Sequence, residues 1–300
     1  MNSGQRARHG KRQMVIGEDL YNHLIDIWNK FGHAKGGKSA LDLMGERLKP
    51  QLPQFITSIK GDEGIMEKVL FGEEPEMYLP YHGINVAALV VKVALGMGYS
   101  DDELKRPALA ALMHDVGMEK IPAQIWIKKE ALSSSEVGEI RKHPLYGDEL
   151  LKPIDDVAQV VLQEHERMDG TGYPQGLAGK DIHEFAYIIG IADIYNSLIH
   201  IRPYREKRYS SFEAIREIVT KEKERFPSSV LKSLVASFLF PVGSRVELNN
   251  GETAEVVEGN MASPMRPVVK ITHDKNDREY DKPRVVDLDR DQRFFIIRSL

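Results

Sequence analysis

Cysteine is absent from all 300 residues. That removes disulfides and thiolate ligands together, so any metal must be held by His, Asp or Glu, a donor set that suits iron, manganese or zinc. A dominant charge is missing too. The formal net charge of -4 gives no general pull toward a nucleic acid polymer. The longest apolar run near the middle, Val86 to Tyr99, is broken by Lys92 and falls short of the ~20 residues that cross a bilayer, so no membrane span is expected. The first residues are basic but lead into MVIGEDLYNHL rather than an apolar signal core, and the cytoplasm is therefore the expected location. No repeat or low-complexity segment stands out.

What is present is a helical pattern. From about Gly17 to Leu239 apolar residues recur at helical spacing, which predicts a mainly α body. Three capping boxes mark helix starts: Ser100 with Glu103, Ser133 with Glu136, and Ser210 with Glu213. Pro107 either kinks the first of these helices or opens a new one. After Pro241 the pattern alternates. Asn250-Gly251 between two such runs predicts a hairpin with a tight primed turn, and RPVVKITHD and RFFIIRSL read as further strands. The expected organisation is a solvated basic tail over 1–13, a helical region of unassigned role over 14–75, a helical domain over 76–240, and a small β-rich module over 241–300 that closes against it.

The chemistry lies in histidines and carboxylates set in apolar surroundings. His82 opens a stretch with Val86, Leu89, Val90 and Val93 at helical offsets, which places its ring on the buried face of an amphipathic helix. Alone it reads as a core histidine. His114 and Asp115 end an apolar helix just before Gly117 permits a turn, and Pro144 fits the first turn of a helix with His143 at its mouth. Asp193 sits in the apolar run IIGIADIYNSLI, where a lone carboxylate is costly unless it is metal-bound or paired, for example with Arg202. Several separate apolar helices thus each offer a His or Asp inward.

The order and surroundings of these residues resemble the HD-GYP family, a branch of the HD metal-dependent phosphohydrolases that degrades cyclic di-GMP. The matching pieces are HGINVA at His82, ALMHDVGMEKIP at His114 and Asp115, KHPLYGDELL at His143, EHERMDGTGYPQGLAGKDI at His165, and IADIYNSLIHIRPYR at Asp193. The resemblance implies an HD-type all-helical bundle with two divalent metals, iron or manganese, held by His82, His114, Asp115, His143, His165 and Asp193. It further implies that Asp115 is the bridging, catalytic carboxylate and that Arg202 and Arg205 contact phosphate. Asp169 to Pro174 then form a rigid loop beside the metals, in which Tyr173 lines the substrate cleft, presents a docking surface for a GGDEF diguanylate cyclase domain, or simply packs the loop down. A homodimer is compatible with this reading.

The chain departs from the family pattern at several points. Glu164 replaces the first of two consecutive histidines and can itself ligate a hard metal. Met118 replaces a lysine, which removes a phosphate donor; Lys120 would point away. Tyr78 stands where members with a third metal carry a glutamate, so two metals at most are expected. Asn196 replaces a common aspartate, and its amide can keep the same hydrogen bonds. The expected activity is hydrolysis of cyclic di-GMP to linear pGpG, with GMP the product if a second cleavage follows. The alternatives are a degenerate domain that binds nucleotide or a cyclase with little turnover, and a phosphohydrolase acting on another nucleotide.

Overall fold

The computed structural model describes residues 20–28, 46–61, 63–71, 78–128, 130–200 and 208–300. Arg202 and Arg205, the basic tail and the side chain of Tyr78 lie outside these described residues. The body is mainly α, followed by one five-stranded antiparallel sheet.

At its centre is the helix Tyr78–Gly96, which carries His82. It is apolar almost all round: Ile84, Val86, Ala87, Ala88, Leu89, Val90, Val91, Val93 and Ala94 are all fully buried. A helix without a polar face must be enclosed by its neighbours, so the amphipathic helix expected from sequence is corrected to a central one. By length and composition Leu79–Gly96 could also reach across a bilayer, which the shorter run ending at Tyr99 concealed; 78% of it is buried inside the protein. Around it pack the helices Asp101–Met113, Glu184–Ile199 and Ser228–Phe238.

Caps fix where these helices begin. At Ser133 and Ser210 the hydroxyl accepts from the N–H of Glu136 and Glu213, whose carboxylates accept from the serine N–H in return. At Ser100 the Glu103 carboxylate accepts from both the backbone N–H and the hydroxyl. Helix Asp101–Met113 runs through the buried Pro107, so no new helix starts there.

In the C-terminal sheet the order is β4-β3-β2-β1-β5, with β1 Arg245–Leu248, β2 Thr253–Glu258, β3 Val268–His273, β4 Glu279–Asp287 and β5 Ile296–Ser299. The hairpin predicted at Asn250-Gly251 forms, but not through a two-residue primed turn. Leu248 pairs across Glu252, the Gly251 N–H donates to the Leu248 carbonyl, and among the turn residues only Gly251 has positive φ, at 83°. This is a three-residue loop closed by a left-handed glycine. Strand β4 was not expected because Pro283 and its charged neighbours disguise it; as an edge strand it tolerates both. Met261, in the loop before β3, shares a cleft with Gly96, Ser233 and Ala236, so the sheet module meets the body at the end of the central helix remote from His82.

Candidate metal centre

Five stretches of chain converge on one spot. His82 enters from the fifth residue of the central helix, and His114 caps the end of Asp101–Met113. Asp115 follows at the turn into the short 3-10 segment Val116–Lys120. His143 is the first residue of His143–Leu151 with Pro144 in its first turn, Glu164 caps Asp155–Gln163, and Asp193 projects from Glu184–Ile199. The proline suits that position because its missing N–H would have no helical partner there.

The donors sort into two triads, His82 with His114 and Asp193, and His143 with Glu164 and His165. Within the first, His82 Nε2 lies 3.1 Å from Asp193 Oδ1. Within the second, His143 Nε2 lies 3.3 Å from Glu164 Oε1 and 3.2 Å from His165 Nε2. Asp115 stands between them. Its Oδ2 is 3.6 Å from both His82 Nε2 and His114 Nε2, while its Oδ1 is 3.5 Å from His143 Nε2. One carboxylate therefore turns an oxygen toward each triad.

The imidazoles are held in one orientation from behind. His114 Nδ1 lies 2.8 Å from the Ala111 carbonyl and His143 Nδ1 2.8 Å from the Ile140 carbonyl. A carbonyl can only accept, so Nδ1 carries the proton and each Nε2 lone pair faces the cavity. Asn196 Nδ2 lies 2.8 Å from His82 Nδ1; an amide N–H only donates, so this contact runs opposite to the bond an aspartate would accept there, and His82 can offer Nε2 to a metal only with the amide turned so that its oxygen takes the Nδ1 proton. Two buried atoms facing the cavity, His114 Nε2 and Glu164 Oε2, have no hydrogen-bond partner. Burying such groups unpaired is costly, and a divalent cation coordinated by imidazole and carboxylate satisfies both. The residues present thus fit a pair of metals, with Glu164 in the position of an imidazole.

Electrostatics follows from three carboxylates enclosed with four histidines. Burial pushes His165 down to about 4, so it stays neutral. Burial acts the same way on His114 and His143, but the carboxylates of Glu164 and Asp115 overcome it and raise both. Burial would raise Asp115 and Asp193; the surrounding histidines, His114 first for Asp115 and His82 first for Asp193, hold both below the usual carboxylate range.

The loop after His165 is built on Glu166, a residue that sequence reasoning passed over. Its buried carboxylate accepts from the backbone N–H groups of Gln175 at 2.6 Å, Gly176 at 3.1 Å and Leu177 at 2.9 Å. Gly172 is required because a Cβ there would fall 2.4 Å from the Arg167 nitrogen. Tyr173 donates its N–H to the His165 carbonyl, and its ring stacks on the His165 imidazole with centres 4.6 Å apart. Tyr173 thus packs directly on a candidate ligand. Arg167, also missed, donates to the carbonyls of Glu164 and Glu166. Met118 is buried, and Lys120 pairs with Glu149 at 2.8 Å, so neither offers a cation to the site.

Comparison with known proteins finds similarity over both the helical body and the C-terminal sheet. A family described as HD domain matches residues 65–230, and one described as KOW domain associated with HD domain matches 245–300. The cyclic di-GMP phosphodiesterase PA4108 of Pseudomonas aeruginosa is 33% identical over 218 residues, covering 71% of this chain and 52% of that protein. The cyclic di-GMP phosphodiesterase PdeB of Borreliella burgdorferi is 31% identical over 205 residues, covering 67% and 54%. The chain thus spans about half the length of these curated relatives. Among solved structures, the HDG"Y"P protein Bd1817 from Bdellovibrio bacteriovorus shares the fold with a TM-score of 0.62 at 18% identity, over 76% of this chain and 72% of that one.

Proposed function

Because this chain belongs to the HD domain family, we propose that its two triads hold two divalent cations, iron or manganese, and that the protein is a phosphodiesterase opening cyclic di-GMP to linear pGpG and then GMP. The single observation that carries this reading is the placement of Asp115, whose two oxygens face different triads. When bound, paired cations polarise a phosphodiester, lower the pKa of a water and stabilise the departing alkoxide.

The chain's own residues do the rest. His82, His114 and Asp193 form one half of the cradle, and His143, Glu164 and His165 the other. Three carboxylates against two divalent cations leave one net positive charge to meet the phosphate. The carbonyls of Ala111 and Ile140 keep two imidazoles in the metal-facing tautomer. Tyr173, rigid on its Glu166-anchored loop, forms one wall of the cleft and, with that loop, a surface for a GGDEF domain. Arg202 and Arg205 offset charge on the non-bridging phosphate oxygens.

Metal analysis of freshly purified protein and a chromatographic assay for pGpG with Mn²⁺ or Fe²⁺ test the proposal. Linear product lost on Asp115→Ala is the expected result. Met118 favours a second reading, a nucleotide-binding domain with little turnover, since the position offers no donor to a phosphate. That reading requires bound cyclic di-GMP with no linear product. Hydrolysis of other phosphodiesters with cyclic di-GMP untouched would overturn both.

A further inference from the structure

We propose that Arg141 contacts the substrate, its guanidinium receiving the phosphate of the cyclic dinucleotide that is not at the metal centre. This rests on the phosphodiesterase reading above. Arg141 caps the helix Ser134–Ile140, and its backbone N–H donates to the Val137 carbonyl at 3.0 Å. Two residues on, His143 is tied to the Ile140 carbonyl. The arginine therefore projects from the same short corner that sets a candidate ligand.

The guanidinium lies over the Tyr173 ring, 5.1 Å from the ring centre, and His165 stacks on that ring at 4.6 Å and 17°. One ring face has no room for an imidazole and a guanidinium at these distances, so they cover opposite faces. His165, Tyr173 and Arg141 then form a row leading from the metal centre outward to an exposed cation. Because both faces of Tyr173 are covered, only the edge of its ring and the guanidinium are left to an incoming ligand.

Among the described residues Arg141 meets no carboxylate within ion-pair distance. The neighbouring cations are engaged: Lys142 with Glu139, Lys120 with Glu149, and Arg167 with two backbone carbonyls. A guanidinium held over an aromatic ring through its charge keeps N–H donors free of that contact, so it can take a phosphate without leaving the ring. The Tyr173 ring separates it from His165, which puts a phosphate held at the metals out of its reach. A cyclic dinucleotide carries a second phosphate across its ring, and that group suits the position.

The test compares Arg141→Ala and Arg141→Lys with the unaltered chain, all loaded with Mn²⁺. Substrates are cyclic di-GMP and bis(p-nitrophenyl) phosphate, which has one phosphate. Binding is measured with a phosphorothioate analogue of cyclic di-GMP, and metal content by elemental analysis. Arg141→Ala is expected to raise KM for cyclic di-GMP and weaken analogue binding by about ten- to a hundredfold, the range of a charge-assisted hydrogen bond. The aryl ester rate and metal content should not move, and lysine should restore most of the binding. Equal loss on both substrates, unchanged analogue binding, or lysine as damaging as alanine overturns the proposal alone. If the unaltered chain binds neither cyclic di-GMP nor the analogue, the parent assignment falls and takes this proposal with it.

Discussion

The carboxylate of Glu166 accepts from the backbone N–H of Gln175 at 2.6 Å, across a loop that returns to within bonding distance of where it began. The same carboxylate also takes the N–H groups of Gly176 and Leu177. Three donors converging on one buried side chain replace the hydrogen bonds that a helix or strand would have supplied. They hold Tyr173 in register with His165, to which it is also joined by its own N–H.

Glu166→Ala should therefore loosen the loop without touching a metal-facing atom. Each partly buried N–H left without an acceptor costs about 1–3 kcal/mol. The expected outcome is faster proteolytic cleavage within residues 169–177 and at least a tenfold loss of activity, with manganese stoichiometry retained. Loss of the metal instead would show that Glu166 supports the ligands rather than the loop.

Gly190 lets the Asp193 helix approach the chain at Glu164. A Cβ at position 190 would sit 2.3 Å from the Glu164 carbonyl oxygen, a backbone atom with nowhere to go. Gly190→Ala must push apart two segments that carry candidate ligands. Overpacking of this kind costs about 1–3 kcal/mol, occasionally more. A lower melting temperature accompanied by lost manganese is expected; a stable variant with full metal content would mean the helices can slide.

His82, His114, Asp115 and Asp193 were legible as polar residues in apolar stretches and His143 from the proline after it, whereas Glu164 and His165 stood out as candidate ligands only through the family resemblance; the structure brings all seven together. Glu166 escaped notice because its partners are backbone N–H groups, which leave no mark in the residue types at 175–177. Arg141 escaped for a related reason: a lone exposed arginine gains meaning only from the ring it covers. Strand β4 escaped because an edge strand with both faces partly in water needs no apolar alternation.

Met118→Lys puts a cation where a phosphate donor is lacking. The side chain there is only 7% exposed, so the new ammonium must be desolvated or must find the substrate. Removing an electrostatic donor typically costs about 10² to 10³ in rate, and adding one back would recover that much if nothing had replaced it. The buried position limits how far the ammonium can reach toward the substrate, so the expected gain in kcat is below about tenfold, with a lower melting temperature. A larger gain would show that the site is electrostatically incomplete.

Proton linkage offers a check independent of any substrate. His114 and His143 have raised pKa values because the carboxylates of Glu164 and Asp115 outweigh burial, whereas burial holds His165 down at about 4. A raised histidine stabilises the folded state fully below its unfolded pKa of about 6.5, and that contribution fades as pH rises through the folded value. His165 works in the opposite sense: its contribution is complete above about 6.5 and is lost as pH falls toward its folded value. Protein stripped with a chelator should accordingly melt highest near about pH 6.5 and lose stability on both sides. Cations supply the positive charge that the two histidines lose, so Mn²⁺-loaded protein should hold its melting temperature as pH rises. Metal uptake must also expel the protons of His114 and His143 and none from His165. Titration calorimetry in two buffers of different ionisation enthalpy near about pH 6.5 should register proton release, shrinking as pH rises. A binding heat that does not depend on the buffer would mean that neither histidine gives up a proton, and that the metal lies elsewhere.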